Sequence, residues 1–248
     1  MSTDGPTTTA EIDESAAHIE EAGPPGPGDP GFQHAHLAAL QDGLDFINTL
    51  EFSREGDEDE LKTAEDALDW LHRHDLLHWE TLEELRELAE ASPRLAKRVL
   101  GRIRRVRSAM RELVEATVDQ RPPALDQLSE VNRALRTHYV YELVPAPDGV
   151  SLDHRHEGDA VEGALARLVE SLAREVSQGH PERLRLCAND DCRWVFSDTS
   201  RTGRRKWCDM ATCGNQAKVA RFRERQRAAH AETAGTEHAA TSGRELVN

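Results

Sequence analysis

The sequence predicts a mainly α fold with one small β-hairpin (α+β): a helical N-terminal domain followed by a small C-terminal module built on four cysteines. Three observations carry this. Apolar residues recur at three- and four-residue steps through most of residues 63–178. A Pro-Asp-Gly turn separates two alternating runs in "YVYELVPAPDGVSLDHR". Every cysteine of the 248-residue chain falls between Cys187 and Cys213, as two C-x4-C pairs 15 residues apart.

The elements follow in order. Residues 1–30 hold seven acids and end in "GPPGPGDP", so they are expected to be a disordered acidic tail. Residues 31–180 form the helical domain. Thr63 and Asp66 make a capping box that opens a helix through Leu68, Trp70 and Leu71. Leu82, Leu85, Leu88 and Ala89 mark the apolar face of a second. Ser92-Pro93 supplies an N-cap and a first-turn proline for a third, carrying Leu95, Val99, Val106, Met110 and Leu113 up to Pro122-Pro123. Leu125, Leu128, Val131 and Leu135 mark a fourth, shorter helix, and the hairpin comes next. A helix from about Asp159 to Gln178 closes the domain, with Gly179 as its C-cap. Residues 181–227 are the cysteine module, and 228–248 a second disordered tail.

Charge is divided unevenly. The chain carries −15 overall, yet residues 181–227 hold twelve Lys and Arg against six acids, a balance of +6 that leaves −21 for the remainder. A basic module on an acidic body points to a partner that responds to the local field. No stretch approaches the roughly 20 apolar residues a bilayer span needs, so no membrane contact is expected. No Lys or Arg precedes Arg54, which argues against a leader peptide. The expected location is the cytoplasm, where thiols stay reduced.

That compartment disfavours disulfides. Clustered pairs of soft thiolates are instead the donor set of a structural metal site, so Cys187, Cys192, Cys208 and Cys213 are assigned one structural Zn2+. A single iron or an Fe–S cluster would use the same donors. With four protein ligands no position is left for a reactive water, so the metal would organise structure. Leu184 and Leu186 alternate into Cys187 as a strand, while Trp194, Phe196 and Trp207 should pack beside the site. So small a core would depend on the metal for folding.

Asn215 is a good helix cap, and "QAKVARFRERQR" after it reads as a helix with two faces. Val219 and Phe222 are expected to pack on the metal core. Lys218, Arg221 and Arg225 line another face and, with Arg204, Arg205 and Lys206 from the preceding loop, form a positive surface suited to phosphate contact.

The stretch "LRLCANDDCRWVFSDTSRTGRRKWCDMATCGNQAKVARFRERQR" closely resembles the CGNR zinc finger, a C-terminal module of bacterial proteins grouped as stress-induced transcription regulators. Upstream, "LDFINTLEF" and "AEDALDWLHRHDLL" resemble the N-terminal domain that accompanies it. The resemblance spans about Gly43 to Arg227. It implies a four-thiolate zinc site on the cysteines named above and a role in DNA binding. The last letter of the name motif is Gln216 here instead of Arg, which would replace a charged phosphate contact with a neutral one.

Other candidates are weaker. His72, His74 and His78 include one i,i+4 pair but match no metalloprotease motif. His154 and His156 share a strand face, but "HEGDA" lacks the second His of a zincin motif. Asp45 and Asn48 either line a ligand site or cap a turn. With no phosphate loop, nucleophile motif or dinucleotide fingerprint, no catalytic residue is assigned and no enzyme is expected. The expected function is DNA-binding transcription regulation through the zinc-stabilised loop and basic helix. The alternative is a zinc-ribbon adaptor that binds a protein. A protein partner or small-molecule effector for the N-terminal domain stays open.

Overall fold

A computed structural model describes residues 38–53, 56–146 and 149–227. The tails expected at 1–30 and 228–248 lie outside the described residues. Helix α1 spans Leu40–Asn48, and its first turn is closed by Asp42, whose carboxylate accepts from the Ala39 N–H at 3.0 Å. Strands β1 (Leu50–Glu51) and β2 (Glu58–Asp59) form a short antiparallel ribbon. Helices α2 (Ala64–Arg73), α3 (Trp79–Ala91), α4 (Pro93–Val118) and α5 (Leu125–Leu135) follow. Strands β3 (His138–Ala146) and β4 (Gly149–Glu157) pair antiparallel as the expected hairpin, and α6 (Ala160–Gln178) completes the body.

The local signals act as sequence logic requires. The Asp66 N–H donates to Thr63 Oγ1 at 3.1 Å and the Thr63 N–H to Asp66 Oδ2 at 2.8 Å, a reciprocal capping box. Ser92 Oγ accepts from the Leu95 N–H ahead of Pro93. Asp159 Oδ1 accepts from the N–H groups of Val161 and Glu162. Two expected faces are only partly used. In α3 Leu82 is buried while Leu88 is half exposed, and in α5 Val131 is buried while Leu125 is exposed. Both helices lie at the margin of the core, where only a narrow stripe meets a neighbour.

The core is centred on α4 and α6, with α1 and α2 against them. Ile103, Val106, Met110 and Val114 of α4 meet Val161, Leu165, Leu168 and Leu172 of α6, all buried, together with Leu44, Phe46, Ile47, Leu68 and Leu71. Each such side chain contributes about 1.5–3 kcal/mol relative to exposure. Gly43 allows α1 to approach α6 closely, because a Cβ there would stand 3.3 Å from Ser171 Oγ. Two arginines of α4 are buried with this face. Arg107 grips Asp59 with two bonds of 2.7 Å and Thr49 Oγ1 at 2.9 Å, tying the β1–β2 ribbon to the core.

Strands β5 (Leu184–Leu186) and β6 (Val195–Ser197) begin the cysteine module as an antiparallel pair, after a 3-10 turn at Pro181–Arg183. Leu184 and Val195, both nearly fully buried, belong to the same apolar cluster as α4 and α6. The module therefore draws part of its core from the body. Among the described residues no helix is long and apolar enough to cross a membrane.

Candidate metal centre

The β5–β6 pair delivers the first two cysteines. Cys187 directly follows β5, and its N–H donates to the Trp194 carbonyl at 2.8 Å. Between them the Asn189 carbonyl accepts from the N–H groups of Cys192 and Arg193 at 2.9 and 3.0 Å. Arg193 completes this tight turn in the left-handed region, at φ 52°. The second pair sits on a wide π-type turn, Met210–Gly214, that runs directly into α7 (residues 215–227). Asp209 is the residue that caps this start, with Oδ1 accepting from the Thr212 N–H at 2.7 Å. The cap expected at Asn215 is corrected accordingly. Asn215 has helical φ/ψ and its side chain donates back to the Ala211 carbonyl at 2.9 Å. An Asp six residues upstream satisfies the free N–H groups first, and the helix has begun before Asn215 is reached.

All four thiols are free, and their Sγ atoms lie within 4.8 Å of one another. Cys192 Sγ is 3.6 Å from Cys208 Sγ, which is 3.9 Å from Cys213 Sγ. A tetrahedron with Zn–S bonds of about 2.3 Å has edges of roughly 3.8 Å, so the arrangement fits one zinc ion. Burial pushes the Cys192 thiol up to about 12 and raises Cys208 as well. Uncompensated thiolates are unfavourable there, and a dication supplies the compensation. Cys213 shifts down despite burial, because Asn189 Nδ2 donates to its Sγ at 3.5 Å. The same amide donates to Gln216 Oε1 at 3.0 Å, which links the name-motif position to the metal shell. Phe196, Trp194 and Trp207 surround the thiols as expected. A bound zinc would hold the two turns together. The chemistry it supplies is charge compensation and cross-linking, with no open coordination site.

The loop between the pairs is built around Asp198, a residue given no role by its spacing. Its side chain is 1% exposed. Oδ1 accepts from the Ser200 N–H at 2.9 Å and Oδ2 from the Arg205 N–H at 2.7 Å. Burial opposes the charge, but these donors outweigh it and hold the carboxyl down at about 2. Arg183 and Arg185 fasten the same loop by donating to the Ser200 carbonyl at 2.8 Å and the Gly203 carbonyl at 2.6 Å.

The basic residues separate into two kinds. Arg204, Lys206, Gln216, Lys218, Arg221 and Arg225 are exposed. Arg205 is partly buried: it donates to the Cys208 carbonyl and lies 5.2 Å from the Phe196 ring centre, so it braces the second cysteine pair. The expectation that Val219 and Phe222 pack on the metal core is overturned, since they are 47% and 55% exposed. The apolar cluster around the thiols is made by Trp194, Phe196 and Trp207, and neither Val219 nor Phe222 belongs to it.

Asn48 is neither a ligand-site residue nor a turn cap. Its amide donates to the Val195 carbonyl and accepts from the Val195 N–H, both at 2.9 Å, clamping α1 to β6. Asp45 accepts from the Gln41 amide one turn before it at 2.8 Å. His72 meets the Leu77 carbonyl, and His74 pairs with Asp42 while stacking on Trp70. Among the described residues neither belongs to a metal cluster, and the four cysteines are the one such group. The side chains of His154 and His156 lie outside the described residues.

No curated protein matches the chain. A family model for the CGNR zinc finger matches residues 183–226, which contain all four cysteines and most of α7. A second, ABATE, carries the description "Putative stress-induced transcription regulator" and matches residues 43–179, from α1 to the end of α6. That match covers more than half of the sequence, and with the thiol cluster in its expected place the chain belongs to the ABATE family, with a CGNR zinc finger at its C-terminal end.

Proposed function

We propose that this protein is a cytoplasmic, non-enzymatic transcription regulator that binds duplex DNA through its zinc-supported C-terminal helix. One observation carries the reading. From residue 215 to 227 every position of α7 except Ala217 is exposed, and the helix bears Lys218, Arg221, Arg223, Arg225 and Arg227 against the single acid Glu224. A helix with no buried stripe is stabilised by what it docks on or by its anchor, and here the anchor is the metal turn. In this reading Lys218, Arg221 and Arg225 contact phosphates, joined by Arg204 and Lys206 from the loop, with Gln216 as a neutral donor. Val219 and Phe222, both exposed, would meet sugar or base edges in a groove.

The zinc site with four thiolates carries a formal −2, which reduces the module's +6 to about +4, so affinity should be moderate and strongly salt-dependent. Fluorescence anisotropy of the zinc-loaded full chain on mixed-sequence duplex tests this. Five neutralised phosphates would give a slope of log K against log salt of roughly −4.5. Arg221→Glu with Arg225→Glu should weaken binding on every sequence. Binding that ignores salt and both charge reversals would sink the DNA reading and leave the protein-adaptor role.

A further inference from the structure

Between α1, β1, α4 and the turn at Arg193 lies a cleft of about 500 Å³, within the range that small organic ligands fill. Ile47, Leu50 and Phe52 give it an apolar side, and Arg111 and Arg193 a cationic one. The charge on that side is under-matched. Arg111 Nε donates to Glu115 Oε1 at 2.9 Å, and Arg193 Nη2 stands 3.5 Å from the same oxygen. Two guanidiniums therefore share one carboxylate.

Arg111 is 8% exposed, and its buried Nη1 has no hydrogen-bond partner among the described residues. The Phe52 ring centre lies 4.2 Å from its guanidinium and 5.2 Å from that of Arg193. Burial pulls the Arg111 pKa below its usual value, as expected for a desolvated charge without a full counter-ion. Of the other acids of the cleft, Glu112 is neutralised by Arg121 while Asp126 keeps its charge. Glu112 takes two bonds from Arg121, at 2.6 and 3.0 Å, and Asp126 accepts from Gln127.

We propose that this cleft binds a small amphipathic carboxylate, with its anionic head on Arg193 and Arg111 and its apolar part against Ile47, Leu50 and Phe52. Two guanidiniums that share Glu115, with Asp57 adding a weaker attraction on Arg111, match a monoanion better than a phosphate dianion. The site bridges the two halves of the molecule: Arg193 directly follows Cys192, and its carbonyl accepts from Arg111 Nη2 at 2.9 Å. A bound carboxylate adds a second tie between α4 and the metal turn. Its meaning as an effector rests on the regulatory function proposed above, whereas the binding itself does not.

The test is calorimetric titration of the zinc-loaded full chain, without DNA, using 3-phenylpropionate and octanoate against 3-phenylpropanamide and inorganic phosphate. The expected result is saturable 1:1 binding of at least one carboxylate with Kd below about 1 mM, and binding at least about tenfold weaker for the amide and for phosphate. Arg193→Gln should weaken the carboxylate by at least about tenfold with zinc content unchanged. If that variant loses zinc, Phe52→Ala decides in its place, with the same loss expected. No saturable heat from either carboxylate up to about 10 mM, an amide that binds as well, or a variant that keeps both zinc and full affinity would each overturn the site. Because no DNA is present, failure here is distinct from failure of the DNA reading.

Discussion

Asn48→Ala should destabilise both halves of the chain together. The side chain makes two hydrogen bonds of 2.9 Å to the N–H and C=O of Val195, a residue 1% exposed. Truncation leaves both backbone groups buried and unpaired, at a cost of about 1–3 kcal/mol each. A loss of about 3 kcal/mol corresponds to a Tm drop of roughly 6–12 °C for a folded region of this size. The assay is thermal unfolding in zinc-saturated buffer, followed by circular dichroism and by release of zinc to a chromophoric chelator. Both signals should move together, because Leu184 and Val195 lie in the core formed by α4 and α6. Asn48→Asp should be no better, since its second oxygen faces the Val195 carbonyl. Gln41→Ala, which removes a surface bond on the same helix, should change stability by less than about 0.5 kcal/mol. A Tm shift under about 1 °C for Asn48→Ala, or a shift in only one signal, would refute the idea that this clamp joins two interdependent halves.

Three further outcomes are expected. Cys208→Ser should lower zinc content from one per chain to near zero after dialysis against a mild chelator, and retained stoichiometric zinc would contradict four-thiolate ligation. The Asp198 carboxyl is held at about 2, below the usual aspartate range, by the Ser200 and Arg205 donors, so its charge stabilises the fold at neutral pH. That contribution is complete above the unfolded pKa and disappears as pH falls through about 4 towards 2. The stability difference between wild type and Asp198→Asn should therefore be flat from about pH 8 to 5, and a difference that declines within that range would disprove the assignment. Gln216→Arg should tighten DNA binding and steepen the salt slope by about 0.9, and anisotropy showing no change in slope would remove this position from the phosphate contacts.

The parts of the fold written in short-range code were legible in the sequence. The Thr63–Asp66 box, Ser92-Pro93, the Pro-Asp-Gly hairpin and the paired cysteines each need only a few adjacent residues to be recognised. What escaped depends on contacts between distant segments. Asn48 and Val195 are 147 positions apart, so nothing beside Asn48 distinguishes a clamp from a cap. Nothing beside Arg107 and Arg111 in the sequence marks them as buried, and they are buried because Asp59 and Glu115 meet them. Val219 and Phe222 have the spacing of a buried stripe, but spacing does not say whether a surface lies opposite. Here the apolar cluster around the thiols does not include them.

The shared core has a consequence for how such a protein is inherited. A finger held by a flexible tether can be exchanged between genes as a cassette, since it carries its whole fold with it. Here a recombination breakpoint near residue 180 would strip Leu184 and Val195 from the body and leave Asn48 facing nothing. It would also deliver a finger whose strands present bare leucine and valine to water. Selection should therefore transmit the two segments as a single unit, and new specificities should arise by substitution along the exposed face of the terminal helix, where no buried neighbour constrains the choice.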